Sequence, residues 1–217
     1  MRETRENAPD ALLLLAPGCP HCPAVLESLS GLVKEGAIGR LEAVNVAVHP
    51  ERAAELGVRT VPWVRIGPFE LEGVQTPGEL RRWAEQSDSL DGMADYFFAM
   101  LKSGRRARVE EMARQEPTRL RALARLLERP DTSMAVRIGI GAVLEELQGS
   151  GLTEAMIPDL GALARSGDAL TRADACHFLS LIGGADVAPY LRACLDDADK
   201  EVREIAAEAL EGLERKS

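Results

Sequence analysis

A chain of 217 residues has room for one or two domains with sizeable cores, and 46% hydrophobic against 28% charged residues is the balance of a globular protein. Aromatic residues make up 4%, which favours Ala/Leu-rich helical packing over a β-sandwich. A formal charge of −9 argues against nucleic acid as the main partner, because phosphate binding needs a basic face.

That charge is uneven. Residues 131–217 carry 8 Lys/Arg and 16 Asp/Glu, so most of the excess lies in the last third. The region reads as a solvated acidic face, with a surface for a basic partner as the alternative. Residues 1–10 contain Glu3, Glu6 and Asp10 and lack a net positive leader, and the apolar run after them is too short for a secretory core or a membrane span. The protein is therefore expected to be cytoplasmic, with no membrane partner. In that compartment four cysteines point to catalysis or metal rather than to a disulfide framework.

Residues 11–16 read as a buried strand, wholly apolar and stopped by Pro17-Gly18. From Pro20 the apolar positions Val25, Leu26, Leu29, Leu32 and Val33 follow helical spacing as far as Gly36. Residues 41–48 read as a second strand, residues 50–56 as a short helix closing at Gly57, and residues 61–66 and 69–73 as a hairpin through Gly67-Pro68. Thr76-Pro77-Gly78-Glu79 opens a last helix, with Thr76 as N-cap, Pro77 at the first helical position and Glu79 completing a capping box. The order is β-α-β-α-β-β-α, with the first two strands parallel.

Strand signals vanish after Ser87. Residues 92–101, 106–114 and 118–128 read as helices, and from residue 131 the chain repeats itself. Helices at 133–144, 169–181 and 200–213 superimpose on Arg137, Arg172 and Arg203, at intervals of 35 and 31 residues. The helices between them match through Ile157-Pro158-Asp159-Leu160 and Ala188-Pro189-Tyr190-Leu191. This is the pattern of a helical repeat array, in which each pair covers its neighbour's apolar face. The expected division is an α/β domain at 1–86, a helical linker or cap at 87–130 and helical repeats at 131–217.

The chemistry concentrates in Gly18-Cys19-Pro20-His21-Cys22-Pro23, directly after the first strand. A Cys-x-x-Cys at a helix N-terminus suits thiol–disulfide exchange. Unpaired backbone N–H groups and the helix dipole stabilise a thiolate on Cys19, and Cys22 follows one turn later, close enough to attack a mixed disulfide. Pro20 and His21 tune the pair, His21 by hydrogen bonding or, when protonated, by charge. The alternatives are a zinc site, for which no second Cys-x-x-Cys supplies ligands, and a bare structural pair. Cys176 and Cys194 read as small core residues, His49 as a loop residue and His177 as a helix-surface residue. No phosphate loop, carboxylate pair or Ser/His/Asp set stands out, so neither cofactor nor metal is expected.

With Gly57-Val58-Arg59-Thr60-Val61-Pro62 further on, residues 11–86 resemble a minimal thioredoxin or glutaredoxin domain, and residues 131–213 resemble HEAT-type repeats. The resemblance implies an α/β thioredoxin-like domain followed by an all-α HEAT-like domain. It also implies that Pro62 is a cis-proline facing the cysteines and that Val61 contacts the substrate backbone. Trp63 reads either as part of that substrate surface or as a partly buried hairpin residue. Two positions depart from the family pattern: Leu13 stands where a buried carboxylate relays a proton to the resolving thiol, and Pro17 replaces an aromatic. These departures fit a glutaredoxin-like or slow oxidoreductase better than an efficient reductant.

The expected function is a cytosolic thiol–disulfide oxidoreductase acting on a protein or glutathione-type disulfide or thiol, with a protein partner held on the helical repeats. The alternative is a non-catalytic interaction protein whose repeat surface is controlled by the cysteine pair as a redox switch. A purely structural adaptor is the third reading.

Overall fold

The apolar run at the start of the chain becomes the central strand of a sheet because both of its faces are covered. The computed structural model describes residues 8–216, the side chain of Lys216 excepted, so the leader reading of residues 1–10 falls largely outside the described residues. The chain folds as two units that divide between Gly92 and Met93.

The first unit runs β1 (Asp10–Leu15), α1 (Cys22–Lys34), β2 (Arg40–Asn45), α2 (Pro50–Glu55), β3 (Trp63–Ile66), β4 (Phe69–Glu72) and α3 (Pro77–Glu85). The sheet order is β2-β1-β3-β4. β1 pairs parallel with β2 and antiparallel with β3, and β3 pairs antiparallel with β4. Leu12, Leu13 and Leu14 are all buried, which is why the strand shows no polar alternation. Leu12, Leu14 and Trp63 form a core cluster on one face, packed by Val44, Leu56 and Val58. The register places Leu13, Val64 and Leu71 on the opposite face, together with Ala11, Ile66 and Phe69, whose ring lies 4.9 Å from that of Trp83 on α3. α1 packs on α3, β1 and β2.

Of the boundaries that differ from those expected, three have a local reason. β2 stops at Asn45: Val46 N–H makes a last bond to Leu15 C=O at 2.9 Å, and the Asn45 side chain, accepting Ala47 N–H at 2.9 Å, and its carbonyl, accepting Val48 N–H at 3.0 Å, then turn the chain away from β1. β3 starts at Trp63 because Pro62, whose C=O accepts Gly73 N–H at 3.0 Å, has no N–H to return that bond. α1 starts at Cys22, since the first helical bond runs from Val25 N–H to His21 C=O. The capping box on α3 forms as expected, with Glu79 N–H on Thr76 Oγ1 at 3.2 Å and Thr76 N–H on Glu79 Oε2 at 2.8 Å.

The second unit is helical: α4 (Leu90–Lys102), α5 (Arg106–Gln115), a 3-10 turn (Pro117–Leu120) and α6 (Arg121–Leu127) precede the repeats. These are α7 (Met134–Glu146), α8 (Ile157–Leu163), α9 (Ala169–Ile182), α10 (Ala188–Ala193) and α11 (Lys200–Lys216). The register on the arginines has a physical basis. Arg172 donates to the carbonyls of Ser166 and Gly167, six and five residues upstream, and Arg203 donates to those of Asp197 and Ala198 at the same spacing. Asp168 caps α9 by accepting Thr171 N–H at 2.9 Å, and the equivalent Asp199 accepts Glu201 N–H at 2.9 Å. Arg172 also grips Asp197 with two hydrogen bonds of 2.7 and 2.8 Å, tying α9 to the segment before α11. Arg137 pairs with Asp174 on α9.

Candidate redox site

β1 delivers the chain to Ala16, where the turn 17–21 reverses it into α1. Gly18 sits at φ +77°, a left-handed conformation that costs a glycine nothing, and Cys19 N–H closes the turn on Ala16 C=O at 3.3 Å. His21 takes the N-cap position and makes no side-chain capping bond, so Cys22 opens the helix. The N–H of Cys22 points at Cys19 Sγ at 3.2 Å. The two cysteines are joined as a disulfide, with 5.5 Å between their Cα atoms.

The pair is asymmetric. Cys19 is partly exposed and is followed by exposed Pro20 and exposed His21, whereas Cys22 is 4% exposed. The more exposed of the two cysteines is the one whose sulfur receives a helix-terminal N–H. Such an N–H is worth more to a thiolate than to a neutral sulfur. Across the site, the Val61–Pro62 peptide bond is cis. The Val61 side chain packs against the Leu12/Leu14/Trp63 cluster while its carbonyl oxygen lies 3.9 Å from Cys19 Sγ. Pro62 is buried beside it.

Trp63 belongs to the core. At 3% exposed and packed with Leu12 and Leu14, its indole supports the Val61–Pro62 segment from beneath and offers no substrate surface. The strand register explains this: Trp63 pairs with Leu14, so its side chain follows Leu14 into the cluster. Leu13 is fully buried, and it places a hydrocarbon where a proton relay is expected. His49 Nδ1 lies 3.0 Å from Glu51 Oε1 on the exposed start of α2, and His177 is exposed on α9.

The structure adds a relationship that linear reading did not find. Cys176 on α9 and Cys194 after α10 are both buried free thiols, as core residues should be, yet they are neighbours. Their hydrogen bond, together with burial, holds the Cys176 thiol well above the ordinary thiol range. Cys194 Sγ also lies 3.7 Å from Ala164 C=O. Their separation of 18 residues, in two different helices' repeats of small residues, left no periodic signal to connect them. Among the described residues no three His, Cys, Asp or Glu side chains converge as a metal site, and no helix is long and apolar enough to cross a membrane.

Comparison with known proteins agrees with this geometry. The family model of the thioredoxin domain matches residues 11–85. A thioredoxin of Methanocaldococcus jannaschii is 35% identical over 68 residues, which cover 30% of this chain and 78% of that protein. The chain belongs to the thioredoxin family. Its thioredoxin domain is followed by HEAT repeats, whose family model matches residues 120–211. That match begins at Leu120, so it takes in α6 as well as the five helices from α7 onward. Family membership and a close cysteine pair together support a thiol–disulfide oxidoreductase role in general terms.

Proposed function

We propose that the chain catalyses thiol–disulfide exchange with Cys19 as the attacking sulfur and Cys22 as the resolving one, on clients chosen by the HEAT repeats. The observation that carries this reading is the asymmetry of the pair, an accessible Cys19 Sγ facing the Cys22 N–H at 3.2 Å with Cys22 buried behind it. In the reduced protein the Cys19 thiolate attacks a client disulfide. A mixed disulfide forms, and one client sulfur leaves as a thiolate that takes its proton from solvent. Cys22, deprotonated, then attacks Cys19 Sγ, closing the intramolecular disulfide and releasing the second client sulfur. The reverse sequence oxidises a client dithiol, and the relative potentials of the two couples set the direction.

The remaining residues position these steps. Pro20 and His21 form the exposed rim of the pair, where His21 acts on the Cys19 thiolate. The Val61 carbonyl accepts a client backbone N–H next to the reacting sulfur, with Pro62 as the wall of that groove and Trp63 holding both in place. The client is a protein or a glutathione-type disulfide. Leu13 favours a second reading on its own account: without a buried carboxylate the resolving step is slow, which suits a redox switch that alters partner binding on the repeats.

The test is turnover of a small disulfide by the full chain and two variants. Cys19→Ser is expected to abolish exchange, and Cys22→Ser to accumulate a mixed disulfide on Cys19. Full turnover by Cys19→Ser would overturn the assignment. No turnover by the parent chain, with partner affinity that follows oxidation state, would select the switch reading.

A further inference from the structure

The register that aligns Arg137, Arg172 and Arg203 also aligns an outward stripe on the first helices of the repeats. On α7 the stripe is Ala135, Ile138, Ala142 and Glu145, apolar up to its last position, with Ile138 65% exposed. On α9 it carries Leu170, 50% exposed, His177 and Ser180, with Ala173 buried between the first two. On α11 the equivalent positions are Glu201, Glu204, Glu208 and Glu211, all exposed. α9 packs against both α7 and α11, so the three segments form one continuous face that grades from hydrocarbon to carboxylate.

Neither end of this face is explained by the fold. Met134, 63% exposed, widens the apolar end, and a groove of about 290 Å³ opens there, its apolar floor of Ile138, Ala142 and Phe178 bordered by Glu145, Asp174 and His177. At the other end, glutamates three and four residues apart on one helix repel one another and cost helix stability. Lys200 answers Glu204 at 2.8 Å and Arg215 answers Glu211 at 3.8 Å, whereas Glu201 and Glu208 have no ion-pair partner among the described residues. The repeat arginines do not neutralise the row. Arg137 is committed to Asp174, Arg172 to Asp197, and Arg203 to backbone carbonyls. Positive charge is used inside the frame and negative charge is displayed.

We propose that this face docks a basic amphipathic segment of a protein client, with its apolar side chains in the α7–α9 groove and its Lys/Arg side chains along the α11 glutamates. The proposal rests on the reading that the repeats select the client. Charge complementarity makes the choice of occupant: an acidic segment or a nucleic acid is repelled by the same row that attracts a cationic helix.

The test uses the full chain and two fluorescein-labelled peptides of about 18 residues, or five helical turns, built of Leu and Lys or of Leu and Glu at amphipathic spacing. By anisotropy the Lys peptide binds, the Glu peptide does not, and raising salt from about 0.01 to about 0.15 M weakens binding as the Debye length shortens. The fourfold variant Glu201→Gln, Glu204→Gln, Glu208→Gln, Glu211→Gln loses about tenfold or more in affinity, as does Ile138→Ser, with circular dichroism showing both still folded. Equal binding of the two peptides, unchanged affinity in the folded variants, or no binding of the Lys peptide would each overturn the proposal. Small-disulfide exchange, read in parallel, separates this from the reading beneath it. If exchange persists without peptide binding, docking alone fails. If the Lys peptide binds but gains no rate when it carries the disulfide, client selection fails and docking stands.

Discussion

Asp197 ties α9 to the segment before α11, and its replacement by asparagine should be measurable in both size and pH dependence. Its carboxylate takes two hydrogen bonds from Arg172 and one from the Asp199 N–H at 2.8 Å, and the paired side chains are only 14% and 11% exposed. The Arg172 guanidinium, and after it the Asp199 N–H, hold the Asp197 carboxyl at about 2, below the ordinary 3.8. At about 1.4 kcal/mol per unit, that difference corresponds to about 2 kcal/mol of stability. The sign follows from proton binding. The folded state binds this proton less tightly than the unfolded chain, so the contribution is complete above the unfolded value and is lost as pH falls through 3.8 towards about 2.

Asp197→Asn keeps the shape and the backbone carbonyl that serves Arg203 but removes the charge. It should cost about 2 kcal/mol at neutral pH, with a deficit that closes between about pH 5 and about pH 2. Urea unfolding followed by ellipticity at 222 nm reports mainly the HEAT repeats. The two tryptophans, Trp63 and Trp83, lie in the thioredoxin domain, so their fluorescence is an internal control that should not move. A double-mutant cycle with Arg172→Met should return most of the deficit as coupling. A change below about 0.5 kcal/mol, or coupling near zero, would refute the strut.

Thr76→Ala removes the cap of α3 and should cost about 1 kcal/mol, read by Trp83 fluorescence during denaturation, with Thr76→Ser restoring most of it. Gly161→Ala would place a methyl group 2.2 Å from Tyr190 Cε1, forcing the ring aside; a loss of about 1–3 kcal/mol in the repeat transition is expected, and a neutral result would mean that α8 and α10 are less closely packed than described. Trp63→Ala should destabilise the thioredoxin domain by about 3–5 kcal/mol, whereas a folded variant altered only in its kinetic constants for substrate would return Trp63 to the surface.

Features with local causes were legible in the sequence. A strand followed by Pro-Gly and a Cys-x-x-Cys, a capping box written as Thr-Pro-Gly-Glu, and arginines recurring with the same small neighbours each depend on residues within one or two turns of one another. The errors came where the decision is tertiary or turns on a competing hydrogen bond. Asn45 ended β2 early by bonding its own neighbours, a signal present in its side chain but outweighed by the apolar residues after it. Trp63 was ambiguous because its face depends on register with Leu14, which the sequence does not state. The contact between Cys176 and Cys194 arises from the packing of α9 against the end of α10, and periodicity could only label each as a core position.

The proposed function requires that Cys19 and Cys22 form an exchange-competent couple. Equilibration in glutathione buffers of graded poise, followed by alkylation and thiol counting by mass spectrometry, tests it directly. With an N–H aimed at Cys19 Sγ and no carboxylate at Leu13, the pair should pass reversibly between dithiol and disulfide at a potential above about −230 mV. A pair that stays reduced at every poise, or one locked as a disulfide below about −300 mV, would contradict the claim.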